Sequence, residues 1–91
     1  MRVVWDRDAW SDYLHWQATD ADVVQRINAL IAEISRDPYT GVGSPEPLWR
    51  DFDGWWSRRI TREHRLVYRI VGLDEDLSVV IVACRYHYRR P

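Results

Sequence analysis

The sequence predicts an α+β fold of order β-α-α-β-β-β-β, with two helices packed on one face of a mostly antiparallel sheet. Three observations predict it. Apolar residues recur at helical spacing between residues 6 and 36. From Leu48 onward the apolar period changes to two. Between these regimes, Pro38 to Pro47 holds two Gly and three Pro in ten residues, the composition of a loop. At 91 residues one domain, residues 1–91, is expected.

The elements follow in order. Arg2 to Trp5 is a short apolar strand. Asp6 can cap a helix running to about Gln17, and Trp5 and Trp10 have the spacing of a hydrophobic staple across that cap. Trp10, Tyr13 and Leu14 supply the apolar stripe of this helix. Thr19 followed by Asp22 gives a capping-box-like start to a second helix, whose core face is Val24, Ile27, Ile31 and Ile34. Pro38 ends it, because the residue before a proline is driven out of the α region. Leu48–Phe52, Trp55–Thr61, Arg65–Val71 and Leu77–Tyr86 read as four successive strands. Asp53-Gly54 marks a tight hairpin and Gly72–Asp76 a longer one. The sheet face away from the helices is left to carry a site.

Composition narrows the function. A net charge of −1 conceals an asymmetry: residues 1–53 hold 5 Arg against 10 acids, and residues 54–91 hold 8 Arg against 4 acids. A basic half on a near-neutral chain indicates a local anion site rather than bulk coating of nucleic acid. All 13 basic residues are Arg, whose planar fork suits bidentate phosphate contact better than an ammonium. The 6 Trp and 5 Tyr can fill a small core or stack on bases, and packing claims most of them. The single Cys84 cannot close an internal disulfide and reads as a small buried hydrophobe in an apolar strand, so a cytoplasmic, reducing location is expected. No basic-then-apolar leader is present, and the run from Val79 to Cys84 is far too short to cross a membrane.

The chemistry concentrates in W-S-R-R-I-T-R-E-H-R-L-V-Y, residues 56–68, and R-Y-H-Y, residues 85–88. A hairpin carrying Arg58, Arg59, Arg62, His64 and Arg65 presents cations to an anion, because burying an unpaired charge is costly. Arg58 and Arg59 point to opposite faces of a strand, so one belongs to structure or to a binding rim. Arg62 reads as solvated. His87 and Tyr88 can serve one site only if the tail curls. The three His and one Cys have no zinc spacing, Gly41-Val42-Gly43 lacks the strand-to-helix setting of a phosphate loop, and Cys84 has no activator. No metal or cofactor is expected. Acid/base chemistry beside an Arg cluster remains. Cleaving RNA needs a base for the 2′-OH, an acid for the departing 5′-oxygen and cations for the phosphorane. Glu46, between Pro45 and Pro47, His87 near a free strand end, and Arg65 with Arg59 are the groups of the right kind.

The chain resembles the YoeB branch of the RelE-like bacterial toxins. The matching runs are V-V-W near the start, W-x-D-Y-L-x-W-Q-x-T-D from Trp10 to Asp20 and G-x-G-x-P-E-P-L from Gly41 to Leu48. They continue as G-W-W-S-R-R-I-T-x-E-H-R-L-V-Y from Gly54 to Tyr68 and A-C-R-Y-H-Y from Ala83 to Tyr88. The resemblance implies the RelE-like fold and the toxin of a type II toxin–antitoxin system, a ribosome-dependent endoribonuclease that cuts mRNA in the A site without metal. By position it implies Glu46 as general base, Arg65 as transition-state cation and His87 as general acid. Arg58, Arg59, His64, Arg85 and Tyr88 fall in the same motifs as substrate-binding or supporting residues. It implies as partners a YefM-type antitoxin, the ribosome with bound mRNA and a second copy in a homodimer, with operator DNA reached only through the antitoxin. Toxins of the same fold that poison DNA gyrase by binding are the alternative, as is a weakly catalytic, binding-only toxin. The sequence departs from the family pattern at Val42 and Ser44, where lysines are usual, at the bulky Trp49-Arg50 and Trp55, and in the extension Arg89-Arg90-Pro91.

Overall fold

A computed structural model describes residues 1–48 and 54–87. Its elements are β1 (Arg2–Trp5), α1 (Arg7–Thr19), α2 (Ala21–Arg36), β2 (Glu46–Pro47), β3 (Trp55–Arg59), β4 (Arg65–Val71) and β5 (Ser78–Ala83). A 3₁₀ turn, Asp74–Asp76, joins β4 to β5. The five strands form one sheet of order β1-β5-β4-β3-β2. Among the described residues the β1–β5 pair is parallel and the other three pairs are antiparallel, in keeping with the predicted α+β class.

Both helices pack on one face of this sheet. Ile27, Leu30 and Ile34 of α2 are fully buried against Leu66, Tyr68, Val79 and Ile81. Each such aliphatic side chain contributes about 1.5–3 kcal/mol by leaving water. The core stripe of α2 is Val23, Ile27, Leu30 and Ile34, while Val24 and Ile31 are half-buried at its edge. Its start is also shifted from the expected capping box. Asp20 is the N-cap and accepts from the Val23 amide at 3.2 Å, while the Thr19 hydroxyl donates back to the His15 carbonyl. At the other end, Asp37 is extended ahead of Pro38, as expected.

The buried face of α1 is rotated from the predicted stripe. Ala9 and Trp16 are buried, whereas Trp10 and Leu14 are each 46% exposed. The cause is tertiary: the Trp16 indole N–H donates to the Cys84 carbonyl at 2.8 Å, turning that ring to the sheet. The staple does form, with Trp5 and Trp10 edge to face at 5.6 Å. Asp6 is at the N-cap position without a side-chain cap bond.

Of the strand expected at 48–52 only Leu48 lies within the described residues, where its amide donates to the Trp55 carbonyl just after β2; Trp49–Asp53 lie outside them. Strand boundaries differ in two places. β3 ends at Arg59, because the Ile60 and Thr61 amides both turn to the His64 carbonyl. β5 ends at Ala83 rather than Tyr86. The Cys84 amide donates to Asp12 of α1, and Tyr86 takes a left-handed φ of +59°. Among the described residues no helix is long and apolar enough to cross a membrane.

Candidate active site

The open face of the sheet is built by strand alternation. Glu46 pairs with Ser57, Ser57 with Val67 and Arg59 with Arg65, so these side chains share one face. Proline at position 47 is tolerated because β2 is an edge strand of the sheet. The result is a compact constellation. One Arg65 Nη donates to the Glu46 carboxylate at 2.9 Å, and Arg65 Nε donates to the Ser57 hydroxyl at 3.1 Å. The Arg65 side chain is mostly covered, at 15% exposure, while Glu46 is 62% exposed. Among the described residues these bonds use two of the five guanidinium N–H groups.

The loop that presents Glu46 is organised from beneath by Arg58. This residue was expected among the substrate-binding or supporting groups, and the structure corrects that position. Arg58 is completely buried on the helix side of the sheet. Its Nε donates to the Tyr68 hydroxyl at 3.1 Å, and its terminal nitrogens donate to the carbonyls of Val42, Asp37 and Thr40 at 3.0, 2.7 and 2.9 Å. Burial pushes the Tyr68 phenol up from its usual pKa, opposed by Arg58. The Asp37 carboxyl is held below its usual range, chiefly by the Tyr39 amide and then by the Thr40 hydroxyl, with Arg58 a smaller contributor. Gly43 lets this loop lie tight on the core. Its φ is +91°, and a Cβ there would meet a Leu30 methyl at 2.9 Å.

The third part is the tail after β5. Asp12 and Trp16 of α1 hold the amide and carbonyl of Cys84. Two residues on, the Tyr86 amide donates to His64 Nδ1 at 2.8 Å and the Tyr86 carbonyl accepts from the Arg65 amide at 3.1 Å. His87, the next residue, is exposed. Tyr86 takes its left-handed turn immediately before His87, while the orientation of His87 against Tyr88 lies outside the described residues. Arg85 lies over the Trp16 and Tyr86 rings, 6.0 and 4.8 Å to their centroids, and bonds the Tyr86 hydroxyl. Arg59 is exposed on the Arg65 side, and Arg62 is exposed in the turn. Tyr88 lies outside the described residues. Burial pushes the Cys84 thiol up to about 12, which makes it a poor nucleophile. Among the described residues no three His, Cys, Asp or Glu side chains group in a way that could hold a metal ion.

The model of the YoeB-like toxin of bacterial type II toxin–antitoxin systems matches residues 5–88. The chain belongs to the YoeB toxin family. It is 51% identical over 88 residues to Toxin YoeB of Escherichia coli K12, covering 97% of this chain and all of that one. The solved YoeB/ParE toxin from Agrobacterium tumefaciens superposes with a TM-score of 0.89 at 49% identity, over 97% of this chain and all of that one. A heterotetrameric YoeB–YefM toxin–antitoxin complex from Staphylococcus aureus contains a chain 37% identical, with a TM-score of 0.80, covering 97% of this chain and 98% of that one.

In this YoeB-type toxin the motif runs converge. Gly41–Leu48 forms the Arg58-supported loop and β2, Gly54–Tyr68 forms β3 and most of β4, and the run beginning at Ala83 forms the clasped tail. Ser57, Asp12 and Trp16 were absent from the residues singled out by sequence. Ser57 was discoverable, since alternation puts it on the same face as Arg59. Asp12 and Trp16 were not, because their partner Cys84 is 72 and 68 residues away.

Proposed function

We propose that this toxin is a metal-independent endoribonuclease, a single domain over residues 1–91, that cuts mRNA in the A site of translating ribosomes. The observation that carries the reading is the Glu46–Arg65 contact of 2.9 Å on the open face, beside a tail whose Tyr86 carbonyl is bonded to the Arg65 amide and which continues directly into His87. Glu46 takes the proton from the ribose 2′-OH. The freed 2′-oxygen attacks the adjacent phosphorus, and Arg65 stabilises the extra negative charge of the phosphorane. His87, as imidazolium, protonates the departing 5′-oxygen. The products are a 2′,3′-cyclic phosphate, or its 3′-phosphate hydrolysis product, and a 5′-hydroxyl. The nucleophile belongs to the substrate, so protein groups need only move protons and stabilise charge.

Glu46 and Arg65 are bonded to each other without substrate. An incoming phosphate competes for Arg65 and leaves the Glu46 carboxylate available as a base. Ser57 keeps the guanidinium in place through its Nε while this exchange occurs. Arg59, on the same side, adds positive potential for the RNA backbone. Tyr88 is proposed as a further substrate-side aromatic on the strength of the motif alone. The S. aureus YoeB–YefM complex supports a YefM-type antitoxin as partner. An acidic segment folding over the Arg65 face would occupy the phosphate site. A homodimer and a cytoplasmic location complete the reading.

Primer extension on mRNA carried by programmed ribosomes tests it, with the parent, Glu46→Gln and His87→Ala. New 5′ ends at A-site codons, lost by about 10²–10⁴ in each variant, are expected. Cleavage by His87→Ala at the parent rate would remove the general acid from the mechanism. Absence of any new ends, with DNA damage in toxin-expressing cells, would transfer the protein to the gyrase-poisoning class.

A further inference from the structure

We propose that His64 is a positioning residue whose Nδ1 lone pair sets the left-handed turn at Tyr86 and so aims His87 at the scissile phosphate. The inference rests on the ribonuclease reading above and assigns His64 a role distinct from contact with substrate.

Tyr86 has both backbone polar groups taken by consecutive residues: its amide donates to His64 Nδ1 at 2.8 Å, and its carbonyl accepts from the Arg65 amide at 3.1 Å. Its φ of +59° is unfavourable for any residue with a Cβ, so the turn persists only while its surroundings hold it. His64 is itself immobilised. Its backbone amide donates to the Thr61 hydroxyl at 3.2 Å, and its carbonyl accepts from Ile60 and Thr61. Its ring packs edge-on to Trp16 at 4.7 Å and against the Tyr86 ring at 5.3 Å. Trp16 is fixed in turn by its bond to Cys84, at the root of the same tail.

An amide donating to Nδ1 requires that nitrogen to carry no proton. Take the acceptor away and the Tyr86 amide loses its partner. The residue then relaxes toward the extended conformation of a continuing β5, which redirects His87. The Arg65 side chain keeps its bonds to Glu46 and Ser57, neither of which touches the His64 side chain. The loss therefore falls on proton donation to the leaving group and not on RNA binding.

The geometry makes a selective prediction about substitutions. Asn Oδ1 occupies the position of His Nδ1, whereas Gln Oε1 occupies that of Nε2. Expected, on programmed ribosomes, is a kcat for His64→Asn within about threefold of the parent. His64→Gln and His64→Ala should lose kcat by about 10–100-fold with KM within about twofold, the pattern of a misaligned catalytic group. In ¹⁵N NMR, His64 Nδ1 should be unprotonated. The Tyr86 amide should be protected from exchange in the parent and in His64→Asn, and unprotected in His64→Gln, with amides of β4 protected in all. Equal kcat for the Asn and Gln variants, a loss residing in KM, or a protonated Nδ1 would overturn the proposal. A parent that cleaves no mRNA refutes the ribonuclease reading instead, and the Tyr86 protection pattern still decides whether His64 sets the turn.

Discussion

Replacing Arg58 by Met removes a buried cation that ties a loop to the sheet through hydrogen bonds to neutral oxygens. Its four hydrogen bonds reach the Tyr68 hydroxyl and the carbonyls of Asp37, Thr40 and Val42. Bonds to a charged group net about 1.5–3 kcal/mol each, so their sum has a ceiling of roughly 6–12 kcal/mol. Against that stands the cost of dehydrating a buried guanidinium, several kcal/mol, which the variant escapes. Part of the loss is also recovered, since Tyr68 keeps its 2.7 Å bond to the Pro38 carbonyl and the exposed loop can admit water. Set against each other, these opposing magnitudes leave a loss of about 3–5 kcal/mol. A chain of this length has about 5–14 kcal/mol in total, so the effect is large. Urea unfolding followed by tryptophan fluorescence measures it. With a slope of about 1.5 kcal/mol per molar, the midpoint should fall by about 2–3 M. Arg58→Lys should lose about 2 kcal/mol, because an ammonium cannot fork to the same carbonyls. A variant within 1 kcal/mol of the parent at unchanged slope would refute the reasoning. Full stability with abolished activity would return Arg58 to the substrate side.

Glu46→Gln should leave stability within about 1 kcal/mol of the parent, because its partner contact is solvent-exposed, while cleavage collapses; a matched loss of both in unfolding and cleavage assays would make Glu46 structural. Asp12 has its pKa raised, first by burial and then against the opposing Cys84 amide and Arg85. The folded state therefore binds this proton more tightly than the unfolded chain. Stability should fall as pH rises from about 3.9 through the folded value, and Asp12→Asn, which keeps an acceptor for the Cys84 amide, should flatten that slope in urea titrations between pH 4 and 7. Gly72→Ala should cost more than about 1 kcal/mol in the same assay, since φ is +98° and the new Cβ would stand 2.2 Å from the Asp76 carbonyl oxygen. The Cys84 thiol, pushed up to about 12 by burial, should resist alkylation at pH 8 in the native protein and react in urea; rapid native labelling would contradict its burial.

How legible all this was in the sequence depended on whether the deciding contact was local. β1 and β4 were bounded correctly because their flanking turn signals are adjacent to them. The period of α2 locates the helix and two of its core residues, Ile27 and Ile34, while Val23 and Leu30 are buried where Val24 and Ile31 are expected. The sequence locates α1 but not its rotation about its axis. Trp10, Tyr13 and Leu14 form as good a helical stripe as Ala9, Tyr13 and Trp16, and only the distant Cys84 carbonyl selects between them. Glu46 and Arg65 were identifiable as chemistry, yet their contact depends on the β2–β3–β4 register, which no local signal sets. Arg58 left a readable trace, since alternation puts it with Trp56 and Ile60 on the inward face. Its composition argued for solvent, and the carbonyls that receive it come from a loop with no period at all.

The parallel pairing of β1 with β5 has a temporal consequence. Arg2 to Trp5 lie beside Ser78 to Ile81, and Asp12 and Trp16 have their partner in Cys84. β1 and α1 thus find these partners only after a long stretch of following chain has been joined, 68 residues from Trp16 to Cys84 and 72 from Asp12. Such long-range closures come late and slowly in folding. The tail that carries His87 cannot be clasped before then. A growing chain consequently emerges without an assembled site, and on the function proposed here a ribosome still making the toxin is spared by the order of synthesis alone.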